Sequence, residues 1–125
     1  MTYHEHTDHR YLRNLRAGAP DAVKAFLAFD QEALKGANKV ISRKNTELMA
    51  VAVALTTQCA YCIEAHVLAA KAEGASVEEL SETVMIASAL RAGGSFAHGF
   101  MAMKFFDAAT GPDAAPEAGS LVENA

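Results

Sequence analysis

The sequence contains no tryptophan, only two cysteines and three prolines, and no long run of lysine or arginine. Each scarcity excludes something. A formal net charge of −4 without clustered cations lacks what neutralises a phosphate backbone, so nucleic acid is not expected as a partner. The longest apolar stretch, Leu48 to Leu55, is far short of the ~20 residues that a membrane-spanning helix needs. Met1 is followed by Thr2, Tyr3, His4, Glu5 and His6, which is not the cationic and then apolar start of a secretory signal. These features predict a soluble, cytoplasmic protein. Sustained apolar/polar alternation is also missing, so strands are not expected.

What is present is apolar material and helix punctuation. Half of the 125 residues are hydrophobic, enough for one compact domain. A chain of this size buries only about two-thirds of the surface that its unfolded form exposes. Association through leftover apolar faces is therefore expected. The sequence predicts an all-α, single-domain bundle of about six helices over residues 1–110. Residues 111–125, rich in Gly, Pro, Ala and acid, read as a flexible tail with little to bury.

The helices are placed by their ends. A short one covers Asp8 to Arg16. Pro20 suits the first turn of a second, which runs through Phe26, Phe29 and Leu34 and stops near Gly36. Ser42 caps a third to about Thr57. Its stretch Leu48 to Leu55 is apolar on every face, which predicts burial all round; a buried strand is the competing reading, and the alanine content and segment length favour helix. A break near Gln58 leads to a fourth helix, from about Cys59 to Glu73, ended by Gly74. Ser76 and Glu79 form a capping box for a fifth, which Gly93-Gly94 stops. A sixth carries Phe96, Phe100, Met103 and Phe106.

The two cysteines stand three positions apart, as Cys59-Ala-Tyr-Cys62. A structural disulfide stabilises mainly by closing a long loop, and this loop is minimal. The spacing points instead to redox chemistry or metal binding. Cys59, Cys62 and His66 are separated by three and then four residues, which puts them on one helical stripe. A cysteine at the helix start sits near free backbone N–H groups and the positive end of the dipole. Both favour thiolate, the reactive species. His66, one turn beyond Cys62, is placed to take its proton.

Glu47 joins the set through packing. If the third and fourth helices run antiparallel about Gln58, Glu47 lies eleven residues before the break and His66 eight after it. The axial offset is then three residues, or about 4.5 Å. That is within side-chain reach, and a carboxylate in an apolar region needs a partner. The alternative class is a zinc or structural module, with Cys59, Cys62 and His66 as ligands and Glu47 or His98 as the fourth.

Glu47, the run Cys59-Ala-Tyr-Cys62-Ile-Glu-Ala-His66, then Ala69 and Gly74 together resemble the alkylhydroperoxidase D-like core of the carboxymuconolactone decarboxylase family. The resemblance spans about Ser42 to Ala92 and continues more weakly to Phe106. It implies an all-helical protein assembled as trimers or hexamers, with a redox site on an antiparallel helix pair and no cofactor. It implies a thiol-dependent peroxidase of peroxiredoxin type, reducing hydrogen peroxide or organic hydroperoxides. Cys62 then corresponds to the peroxidatic cysteine and Cys59 to the resolving one, with His66 and Glu47 as the proton relay. The implied electron donor is a dihydrolipoyl or thioredoxin-like dithiol.

Two departures stand out. Hydroperoxidase members carry a histidine between the cysteines, where this chain has Tyr61. This admits a disulfide reductase or redox sensor with little peroxidase activity. Decarboxylase members lack the cysteine pair, so lactone decarboxylation is not expected. His98 reads as a helix-packing histidine, with a ligand or substrate contact as the alternative. His4, His6 and His9, clustered with Glu5 and Asp8, read as a solvated flexible end, with weak metal binding as the alternative, and Met49, Met85, Met101 and Met103 as core filling.

Overall fold

A computed structural model describes residues 3–109. Among these there are five α-helices and one 3-10 turn, with no strand. The 3-10 turn is Asp8–Tyr11, followed by α1 (Leu12–Gly18), α2 (Pro20–Lys35), α3 (Arg43–Thr57), α4 (Ala60–Ala72) and α5 (Val77–Ala108). The chain divides into two compact units, Met1–Ser88 and Ala89–Ala125. The expected tail, 111–125, lies outside the described residues. Among the described residues no helix is long and apolar enough to cross a membrane.

In the first unit, local chemistry sets the helix ends. Pro20 occupies the first turn of α2, where its fixed φ fits and its missing N–H costs nothing. Gly36 follows the last turn, and a Cβ there would meet the Glu32 carbonyl oxygen at 2.6 Å, so glycine is needed for the exit. The Ser42 hydroxyl accepts the Asn45 N–H at 3.2 Å and opens α3. Gln58, at φ 57°, ends it in the left-handed region. The capping box at α5 forms in both directions: Glu79 N–H to Ser76 Oγ at 3.1 Å and Ser76 N–H to Glu79 Oε2 at 2.9 Å.

The α3–α4 hairpin is the most closely packed part of this unit. Arg43, at the start of α3, lies 4.0 Å from Glu73 at the end of α4, so the two helices run antiparallel. Val51, Ala54 and Ala70 form the centre of the packing, with Glu47 and Thr46 buried beside them. Lys44 reaches Glu79 at 2.7 Å and ties α3 to the start of α5.

Three expectations are corrected. The first predicted helix is two pieces, a 3-10 turn and α1. The fifth and sixth predicted helices are one, because Gly93-Gly94 does not stop α5. Two glycines cost a helix about 1 kcal/mol each. That weakens the helix without forcing the chain out of it, and neither glycine adopts the left-handed backbone that Gly74 does. Finally, α3 is not buried all round: Met49 is 54% and Val53 61% exposed. Within one chain its neighbours cover only the face with Thr46, Glu47, Val51 and Ala54.

The second unit, as far as residue 109, consists of the remaining turns of α5. Leu90, Phe96, Phe100, Met101, Met103 and Phe106 are exposed there. His98 is also exposed, and its Nδ1 lies 3.0 Å from the Gly94 carbonyl one turn back.

Candidate redox site

The site grows from the two-residue link between α3 and α4. Cys59 is the residue before the first turn of α4, and its sulfur accepts the Cys62 N–H at 3.3 Å. The same spacing brings the two Cα atoms to 5.3 Å, and the cysteines are joined as a disulfide. Both are half-buried. A sulfur in this capping position faces the unpaired N–H groups of the helix start, as the spacing predicts.

One turn further along α4, His66 Nδ1 lies 2.6 Å from Glu47 Oε2. The Glu47 side chain is 1% exposed, and its other oxygen, Oε1, receives Arg43 Nη2 at 2.8 Å. With a carboxylate as acceptor, Nδ1 carries a proton, and in the neutral ring the lone pair is then on Nε2. The predicted pairing of Glu47 with His66 across the hairpin is therefore present. Arg43 is a site residue that the sequence reading misses, although its position four residues before Glu47 is a readable helix-pair signal.

Cys62 and His66 share the wall of a groove of about 440 Å³ between α2, α3 and α4. This volume is in the range of small-molecule pockets. The other walls are mostly apolar, with Phe29, Ile41, Met49 and Val53 among them. Thr46 also lines it, and its buried hydroxyl has no hydrogen-bond partner among the described residues. Cys59 is not part of the lining.

The far side of the first turn of α4 is covered by the N-terminal segment. The Tyr61 hydroxyl donates to Asp8 Oδ2 at 2.9 Å, and the His4 ring stands edge-on to Tyr61 with centroids 4.4 Å apart. His4 Nε2 also pairs with Glu64. The Glu5 N–H, and then the Tyr61 hydroxyl, hold the Asp8 carboxyl below its usual range; the bond to Asp8 pushes the Tyr61 phenol up. His4 is thus docked, in place of the expected solvated end. His9 contacts the His6 carbonyl at 3.0 Å. Nothing local in the sequence signals these long-range contacts. Among the described residues, no group of three or more His, Cys, Asp or Glu is arranged to hold a metal ion.

The fold and site define an all-helical protein with a Cys-x-x-Cys disulfide on an antiparallel helix pair, backed by a histidine–glutamate pair. The chain belongs to the carboxymuconolactone decarboxylase family, which it matches over residues 20–105. It is 40% identical over 92 residues to "Uncharacterized protein 4 in cox locus" of Paracoccus denitrificans, covering 74% of this chain and 80% of that protein. A Haemophilus influenzae protein, described as "Uncharacterized protein", is 39% identical over 64 residues, covering 50% of this chain and 55% of that one.

Proposed function

We propose that the protein is a thiol-dependent peroxidase that reduces organic hydroperoxides, and hydrogen peroxide, through the Cys59–Cys62 dithiol. The observation that carries this reading is the opening of Cys62 and His66 onto one apolar groove, with Glu47 behind His66. In the reduced protein His66 Nε2 takes the Cys62 proton. The thiolate attacks the peroxide, an S–O bond forms, the O–O bond breaks, and the departing alkoxide leaves as an alcohol after taking a proton. Cys59 then attacks the Cys62 sulfenic acid and releases water, which gives the disulfide. A dithiol donor, dihydrolipoyl or thioredoxin-like, returns two electrons and two protons. Such a donor pool suits the cytoplasm.

The apolar walls favour a substrate with a hydrocarbon portion, because its burial adds about 25 cal/mol per Å². The exposed apolar side chains of α2, α3 and α5 support a homo-oligomer, trimer or hexamer, as the working form.

The test is stopped-flow oxidation of the reduced protein by cumene hydroperoxide and by hydrogen peroxide. Cys62→Ser should abolish it, and Cys59→Ser should stop at a sulfenic acid that dimedone traps. Wild-type thiols that stay reduced under both peroxides would sink the proposal. Disulfide exchange with little peroxidase activity is the second reading. It is favoured by Tyr61, whose hydroxyl is engaged by Asp8 and so is drawn away from a relay.

A further inference from the structure

A hydroxyl inside a helix usually satisfies itself on the carbonyl one turn back. Thr57 reaches Val53 in this way at 3.0 Å, Ser81 reaches Val77 at 2.7 Å and Thr83 reaches Glu79 at 2.8 Å. Thr46, near the start of α3, does not. It is 6% exposed, and its hydroxyl has no hydrogen-bond partner among the described residues. A buried hydroxyl left unbonded is costly, and a ligand that supplies the bond recovers that cost.

Thr46 borders the groove that Cys62 and His66 share, at its opposite end. Arg43 and Glu73 stand level across the hairpin, each fifteen residues from Gln58. On that register Cys62 lies four residues after the break and Thr46 twelve before it. The offset of eight residues is about 12 Å along the helix axis. Between them the α3 wall is apolar, with Met49, Ala50 and Val53.

Lys39 enters the groove at the Thr46 end, because it lies in the link that leads into α3. It is half-buried, and its ammonium donates to the Ala33 carbonyl at 2.8 Å. An ammonium has three donors, so two are left for a ligand. A neutral donor and a cation thus occupy one end of an apolar groove whose other end holds the thiol. Asp30 also borders the groove, but it is exposed, where water and salt screen its charge.

We propose that Thr46 and Lys39 anchor a carboxylate, so that the substrates of this site are hydroperoxides of aliphatic acids, with the peroxide group carried mid-chain to Cys62. One rotamer step exchanges the hydroxyl and methyl of a threonine, which offers the hydroxyl to a carboxylate seated against this wall. The anchor rests on the reading of the groove as the peroxide site and adds to it a substrate class.

The experiment follows stopped-flow oxidation of the reduced full-length protein by oleic acid hydroperoxide and by its methyl ester. The readout is the ratio of their half-saturating concentrations, compared between variants, so that a general loss of activity or a difference in lipid solubility cancels. Wild type should half-saturate with the acid at a concentration about tenfold lower than with the ester. Lys39→Gln should remove most of this preference and Lys39→Arg should keep it. Thr46→Val should lower it about threefold or more, without lowering the melting temperature, since the hydroxyl has no bond to lose. A second measurement needs no peroxide chemistry: protection of Cys62 from iodoacetamide, in reduced protein carrying Cys59→Ser, by decanoate and by decanol. Decanoate should protect at the lower concentration and lose that advantage in Lys39→Gln and in Thr46→Val.

Equal ratios in wild type and Lys39→Gln, decanoate no better than decanol, or a Thr46→Val variant that melts lower would overturn the anchor. Protection by decanoate that depends on both residues, in a protein that no hydroperoxide oxidises, would uphold the anchor, and the peroxidase reading would be what fails.

Discussion

Replacing Glu47 with glutamine separates the chemical role of this residue from its structural one. The carboxylate accepts from Arg43 on one oxygen and from His66 on the other. An amide has one acceptor and one donor end. Because a guanidinium offers only donors, the amide oxygen should turn to Arg43, where the bond stays charge-assisted. The amide NH2 then faces His66 Nδ1 and can donate to it only if the ring proton moves to Nε2. Every hydrogen bond is remade, and what is lost is the opposite charge facing Arg43 and the charge assistance of the His66 bond, whose partners are 30% and 22% exposed. That costs about 1–2 kcal/mol, or a fall in Tm of about 3–6 °C per kcal/mol at this chain length.

The kinetic cost is larger. An imidazole with its proton on Nε2 cannot accept from Cys62, so oxidation by peroxide and alkylation by iodoacetamide should both fall about 100-fold or more. Calorimetry, stopped-flow kinetics and nitrogen NMR of His66 measure the three quantities on one sample. A folded Glu47→Gln variant that reacts within about threefold of wild type, or one whose Nδ1 stays protonated, would refute the reasoning.

Further outcomes are expected elsewhere. A Cβ at Gly93 would meet nothing within 4 Å, so Gly93→Ala should stabilise α5 by about 0.5–1 kcal/mol in thermal melts; a loss would show that another molecule packs there. Gln58 holds φ 57°, so Gln58→Gly should be neutral or stabilising by up to about 1 kcal/mol, read by denaturant titration. The Asp8 carboxyl is held below its ordinary 3.8 by the Glu5 N–H and the Tyr61 hydroxyl. Its contribution should be complete at neutral pH and lost as pH falls through the lowered value. A Tyr61 ring signal that stays flat through that acid titration would contradict this.

The all-helical class, most helix ends and the pairing of Glu47 with His66 are legible from local pattern alone. These depend on interactions within about one turn, or on an offset counted from a single break. Ser76 and Glu79 cap each other three residues apart, and Cys59 meets Cys62 at the same spacing. Arg43 was equally legible as the residue one turn before Glu47. The continuity of α5 was not, because a glycine pair weakens a helix without obliging the chain to leave it, and packing or its absence decides which happens. Nor was the docking of His4 on Glu64, sixty positions away, or the groove that Cys62 and His66 share. Those contacts form between elements, and local spacing carries no record of which faces meet.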